Sequence, residues 1–192
     1  MNLVERVKGI LLTPKKEWPV IDGESATVGS LYTQYIIPLA AIPAIAGFIG
    51  TSIIGIGVFG ASIRVPPGTG LTAMVVRYVG ALVGVYVLAL ITDALAPNFG
   101  GQKNPIQALK VAAYSSTAAW VAGIFLLLPG LRVLGLLGLY SLYLLFLGLP
   151  ILMKAPEERA AGYTIVVIVV AVVLYLVIGA IANRMMGYGW MY

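Results

Sequence analysis

Five apolar runs, each of 20 or more residues, dominate this 192-residue chain. That is the length a helix rising ~1.5 Å per residue needs to cross the ~30 Å hydrocarbon core of a bilayer. The runs extend roughly over Gln34 to Phe59, Leu71 to Leu95, Ile106 to Leu128, Leu131 to Met153 and Tyr163 to Ala182. Turn chemistry separates them: "VPPGTG" at 65–70, "APNFGGQKNP" at 96–105, "PG" at 129–130 and "KAPEER" at 154–159. Strands of a membrane barrel are about ten residues long and alternate in character, which does not fit runs this long and uniform. A soluble domain carries about a quarter charged residues; this chain has 10% charged and 60% hydrophobic residues. The expected class is all-α and polytopic, with five transmembrane helices.

Lysine and arginine set the expected direction. With the N-terminus inside, the cytoplasmic side holds Arg6, Lys8, Lys15, Lys16, Lys103, Lys110, Lys154 and Arg159, against Arg64, Arg132 and Arg184 outside. Eight against three follows the positive-inside rule and puts the C-terminal "GYGWMY" at 187–192 in the outer headgroup layer. Residues 1–28 form a separate cytoplasmic amphipathic segment, and 29–192 form the five-helix domain. In "MNLVERVKGILLTPKKEW", Leu3, Val4, Val7, Ile10 and Leu11 share one helical face and Glu5, Arg6 and Lys8 the other. Too short to span, this stretch reads as a helix lying in the cytoplasmic interface with Trp18 as anchor; the alternative is a flexible basic tail. No secretory signal precedes the first span, because charges and Pro14 interrupt the short apolar stretch.

The chain has no cysteine and no histidine. That removes thiolate nucleophiles, disulfides and Fe–S ligation, together with the commonest general base and metal ligand. No catalytic, cofactor-binding or metal-binding residue is expected, and no cofactor. The net charge of +5 is explained by topology. No basic run has interleaved aromatics of the kind that stack bases, so nucleic acid is not an expected partner.

Polar residues inside the apolar runs are the candidate functional positions. Span one holds Pro38, Pro43 and a series of glycines, which fits either a broken helix lining a site or a kinked packing helix. In span two, Arg77 lies about two turns from the outer end, deep enough to need a partner or to snorkel. Gly80 and Gly84 in "GALVG" have a spacing that permits close helix contact, within the bundle or between copies. In span three, Gln107, Lys110, Tyr114 and Thr117 fall on one stripe, with Ser115 and Trp120 beside it. Lipid cannot satisfy these donors, so the stripe should face inward, lining a wet cavity or bonding to other helices. Tyr140 on span four matches the depth of Trp120 across the Pro129–Gly130 turn, so Tyr140 and Tyr143, three residues apart, can pair with that stripe. Gly148 and Pro150 should loosen the end of span four. Asp93 and Lys110 lie at similar depth on adjacent spans and can pair, or snorkel separately.

The stretch "NPIQALKVAAYSSTAAWVAGIFLLLPGLRVLGLLGLYSLYLLFLGLPILMK", with "WPVI" and "YIIPLAAIPAIAGFIG", resembles the bacterial branch of the Yip-one domain family, the Ypt/Rab-interacting membrane proteins. The resemblance covers nearly the whole chain, in the order amphipathic start, five spans, N-terminus in, C-terminus out. Tyr114 and Ser115 match the family's GYS-like motif, with Ala113 in place of glycine. The DLYGP-like motif is missing, Leu31–Tyr32 being followed by Thr33–Gln34, which argues against Rab-type GTPase binding. The resemblance implies a non-enzymatic membrane scaffold, adaptor or bilayer-shaping protein. Its expected partners are membrane lipids, other membrane proteins or a second copy of itself. The alternative is a small channel or transporter using the polar face of span three.

Overall fold

The computed structural model describes residues 2–58 and 61–185. Helix α1 (Leu3–Leu12) starts where the Asn2 side chain accepts the Val4 amide at 3.1 Å. Pro14 opens α2 (Pro14–Gly23), a position where its missing N–H costs nothing. A capping box between Thr27 and Ser30 then begins a long helical rod. This rod comprises α3 (Val28–Leu31), a π-helical turn (Tyr32–Ile36), α4 (Ile37–Phe48) and a second π-helical turn (Ile49–Ile54). Pro38 and Pro43 each remove one amide from the rod's hydrogen-bond ladder. The first π-helical turn lies directly before Pro38, where the Gln34 carbonyl would have lost its donor. Of the two readings of span one, the broken helix does not hold: the winding changes and the rod stays continuous over Val28–Ile54.

The rod ends at Gly55, whose φ of 92° needs a glycine, and a small antiparallel hairpin follows. Its strands β1 (Ile56–Val58) and β2 (Ala61–Ile63) pair with Ile56 opposite Ile63. Span one thus runs Val28–Ile54, starting earlier and ending earlier than the sequence suggested. The expected end at Phe59 lies outside the described residues.

Helix α5 (Pro67–Leu95) continues through a 3₁₀ turn (Ala96–Phe99) that Gly100 closes in the left-handed region. Span three divides into α6 (Pro105–Ser115), α7 (Thr117–Ala122) and a 3₁₀ turn (Gly123–Leu127). The break at residue 116 has a local cause. Ser115 and Ser116 donate their hydroxyls to the Ala112 carbonyl, and Thr117 donates to Tyr114, so side chains compete with the backbone ladder.

Span four opens with eleven residues of 3₁₀ helix, Pro129–Leu139, before α8 (Tyr140–Leu152). Such a run is long for 3₁₀, and the sequence shows why it holds. Arg132, Gly135 and Gly138 recur every third residue and form the partly buried face, while Val133, Leu136 and Leu139 are exposed. A Cβ on Gly138 would lie only 3.2 Å from the Ala119 Cα, so glycine sets how closely this face packs on α7. Ser141 accepts the Ala119 amide at 3.0 Å, which gives the tight antiparallel hairpin expected of spans three and four.

Helix α9 (Glu157–Met185) packs on α5 and α8. Four stretches among the described residues are long and apolar enough to cross a membrane: Val28–Ile54, Pro67–Phe99, Pro105–Leu127 and Gly130–Leu152. The fifth expected run falls within α9, where the side chains beyond Leu176 lie outside the described set, as does the C-terminal "GYGWMY".

The N-terminal segment departs most from expectation. Helix α1 packs on α2 and α7, and α2 packs on α8, so both close one end of the bundle. Ile10 is fully buried, and Leu3, Val7 and Leu11 pack against the same core, so these side chains meet protein and not acyl chains, while Val4 of the same expected face is exposed. Trp18 is also fully buried and is not an interfacial anchor. A soluble-type core forms at this capped end from Ile10, Trp18, Ile21, Leu109, Leu149 and Met153, each at most 1% exposed. Burial here supplies a hydrophobic driving force that helices surrounded by lipid lack.

Candidate functional site

The polar stripe of span three faces the N-terminal helix pair. Gln107 donates from Nε2 to both the carbonyl and the carboxylate of Asp22, each at 3.1 Å. Lys110, only 3% exposed, donates to the Ile21 carbonyl at 2.9 Å and to the Glu24 carbonyl. Ile21 and Asp22 lie in the last turn of α2 and Glu24 is its C-cap residue, where an α-helix leaves carbonyls short of internal partners. Lys110 therefore serves as the C-terminal cap of another helix, where a cation is also favoured by the helix dipole.

One turn deeper, Tyr114 is the hub of an aromatic cluster. Its ring meets Tyr35 at 4.6 Å and Trp18 at 6.4 Å, both edge-on, and the Arg6 guanidinium lies 5.8 Å from its centroid. Edge-to-face pairs set the positive rim of one ring against the negative face of another. Thr117 ends the stripe, sharing a 2.7 Å hydrogen bond with the Tyr35 hydroxyl while donating to its own helix. With Thr117 the donor to Tyr114, the tyrosine hydroxyl is the donor to Thr117.

Arg6 closes the cluster from above. It lies on the buried face of α1 and ion-pairs with Glu17 and Glu24. At 5% exposure it would be costly unpaired, and two carboxylates meet it in a fork that suits guanidinium geometry. A third pair joins Lys154, at the end of α8, to Asp22. Three cations (Arg6, Lys110, Lys154) thus face three carboxylates (Glu17, Asp22, Glu24) in a locally neutral network.

Beside this network is a cavity of about 650 Å³. Glu24, Ser25, Ser30, Gln34, Tyr35 and Lys110 contribute its polar lining, and Leu31 contributes to its apolar wall. Gln34 and Tyr35 reach it from the π-helical turn, so the winding forced ahead of Pro38 presents both to the chamber.

Other expected site residues fall elsewhere. Trp120 is buried and level with the hairpin partner of Ser141, as its depth implied. Tyr140 does not join the stripe: it donates to the Leu11 carbonyl at 3.2 Å and lies against Tyr143 at 5.4 Å. Tyr143 is 40% exposed on the outer surface of α8. Asp93 and Lys110 do not pair, because Lys110 is taken by α2. Asp93 keeps one buried carboxylate oxygen without a hydrogen-bond partner among the described residues. Ser115 turns back to its own helix. Arg77 sits over Gly47, its guanidinium 3.5 Å from where a glycine Cβ would stand. Among the described residues, nothing lies within 4 Å of a Cβ placed on Gly80 or Gly84.

Sequence reasoning did not reach Arg6, Glu17, Asp22, Glu24, Tyr35 or the role of Trp18. One signal was present: three of the chain's seven acidic residues fall between positions 17 and 24. In a chain so poor in carboxylates, that clustering calls for buried cationic partners.

The Yip1 domain family profile matches residues 8–179. The chain is similar to a protein named inner membrane protein YohC from Escherichia coli (strain K12), 29% identical over 192 residues, covering 97% of this chain and 98% of the relative. The protein of the same name from Escherichia coli O6:H1 (strain CFT073) is likewise 29% identical with the same coverage. No solved structure matches. The match begins within α1, after Arg6, and extends into α9, so it takes in the end of α1 and all of α2 as well as the apolar bundle. The chain is an integral membrane protein and belongs to the Yip1 domain family.

Proposed function

We propose that this protein is a non-enzymatic scaffold of the bacterial cytoplasmic membrane. It would cross five times and present its capped end to the cytoplasm. The carrying observation is that the polar stripe of span three stops at Thr117 and is occupied by α2, Arg6 and Tyr35. Beyond Thr117 the span continues "AAWVAGIFLLL", without a charged, amide or hydroxyl group to extend a hydrophilic path. The absence of histidine and cysteine supports a non-enzymatic role. The relative named an inner membrane protein supports the location. Helix α9, 29 residues or ~43 Å at ~1.5 Å per residue, is long enough to supply the fifth crossing. The exposed surface of the cap, including Val4, Lys8 and Val20, is the platform on which partners would dock.

The test is photo-crosslinking in cells with a reactive residue at Lys8 or Val20 and a control at Leu136. Discrete protein adducts from the cap positions are expected, and adducts from the control alone would count against the reading. Reporter fusions placed after Ser25 should be active in the cytoplasm. The cavity favours a second reading, a small channel or transporter. Solute flux in proteoliposomes that vanishes in the Tyr35→Phe, Thr117→Val double variant would replace the scaffold reading with that one.

A further inference from the structure

We propose that the cavity at the capped end is a headgroup site for a zwitterionic phospholipid of the phosphoethanolamine type. Three features converge on this ligand, whether the bundle scaffolds or conducts.

The first is charge. Lys110 uses two of its three ammonium N–H donors on the carbonyls of Ile21 and Glu24, which leaves one for a ligand in the cavity it lines. Glu24 lines the same cavity, and its carboxylate receives Arg6 through Oε1 while the side chain keeps 39% exposure. Lys110 and Glu24 both line the cavity, within a network of three positive and three negative groups, and so match a ligand carrying both signs. A free phosphate dianion would add uncompensated negative charge beside Glu24, at a cost in a partly buried site.

The second is hydrogen bonding. Ser25 lines the cavity and is exposed, and Gln34 is exposed at its edge. Their hydroxyl and amide donors suit phosphate oxygens, and the amide oxygen of Gln34 suits an ammonium group.

The third is position. Ser30, Leu31, Gln34 and Tyr35 belong to the opening turns of the Val28–Ile54 span, so the cavity lies where that helix enters the apolar layer. From Gln34 an outward stripe continues through Ile37 and Ile45, 38% and 49% exposed, at helical spacing. A lipid whose headgroup fills the cavity has an apolar track for its acyl chain along α4. A soluble zwitterion would leave that track unused.

The full-length protein in detergent is titrated with dihexanoyl phosphatidylethanolamine, dihexanoyl phosphatidylglycerol, phosphoethanolamine and inorganic phosphate, and thermal unfolding is followed. The ethanolamine lipid is expected to raise the midpoint at a concentration at least tenfold below that required by the other three. Ser25→Trp, placed on an exposed cavity-lining residue, should melt like the parent without lipid and lose the lipid-dependent rise. Gln34→Leu should weaken it severalfold. Equal shifts from both lipids, a shift from inorganic phosphate or phosphoethanolamine as large as from the lipid, no shift at all, or a shift retained in Ser25→Trp would each overturn the assignment.

Discussion

The indole of Trp18 occupies the space that a side chain on Gly148 would need. A Cβ built on that glycine would stand 2.7 Å from the ring carbons, closer than side chains approach one another. The glycine in the apolar run of α8 therefore seats the N-terminal helix pair on the bundle, and helix loosening is not needed to explain it. Gly148→Ala should cost about 1–3 kcal/mol, as overpacking of a close-packed core does. Thermal unfolding in detergent checks this, and adding Trp18→Phe should restore part of the loss. An unchanged midpoint in Gly148→Ala would show that α2 does not dock there.

Arg6 links α1 to both Glu17 and Glu24 from a position 5% exposed. Removing the cation leaves two carboxylates facing each other beside Tyr114. Arg6→Met should destabilise by about 3 kcal/mol, toward the low end for a broken buried pair because Glu24 is partly solvated. The triple variant Arg6→Met, Glu17→Gln, Glu24→Gln should melt above the single variant, since the unpaired charge is the costly state. A triple variant no more stable than the single one would contradict the ion-pair account.

The apolar bundle was legible because a bilayer imposes length and uniformity, which show directly in runs such as Leu71–Leu95. The stripe Gln107, Lys110, Tyr114, Thr117 was legible for the same reason: helical spacing fixes a shared direction. What covers that stripe was not. Arg6 follows the surface pattern of Glu5 and Lys8, and its buried position depends on where Glu17 and Glu24 return in space. Trp18 beside Pro19 carries the marks of an interfacial anchor, and only the vacancy at Gly148, 130 residues away, makes it a core residue. The 3₁₀ winding of Pro129–Leu139 was written in the three-residue recurrence of Arg132, Gly135 and Gly138, which a search for a 3.6-residue period passes over.

Tyr35 and Thr117 hold span one to span three through one 2.7 Å hydrogen bond in a buried setting. Tyr35→Phe and Thr117→Val should each destabilise by about 1 kcal/mol, and the double variant should lose less than their sum by a similar amount. A thermal-stability cycle in detergent measures this coupling. Strict additivity would show that the two hydroxyls do not act as a pair.

Four glycines of spans one to three form two contrasting pairs by what surrounds them. A Cβ on Gly50 would stand 2.0 Å from the Leu126 carbonyl oxygen, and one on Gly123 would stand 2.4 Å from the Pro43 side chain. Both lie where the rod of span one crosses the 3₁₀ turn of span three, and in the Gly50 contact the obstacle is backbone, which cannot rotate away. Gly50→Ala should therefore cost at least about 3 kcal/mol, and Gly123→Ala about 1–3 kcal/mol, through forced separation of the two segments. Gly80 and Gly84 on α5 have no described residue within 4 Å of the added carbon. Alanine there adds helix propensity without a clash, so both variants should match the parent within about 0.5 kcal/mol or exceed it slightly. Thermal unfolding of dilute monomer in detergent compares all four variants directly. If Gly80→Ala or Gly84→Ala weakened the monomer as much as Gly50→Ala, the open setting of this face of α5 would be wrong. A loss seen only at high protein concentration or in lipid would instead place those two glycines at a contact between copies.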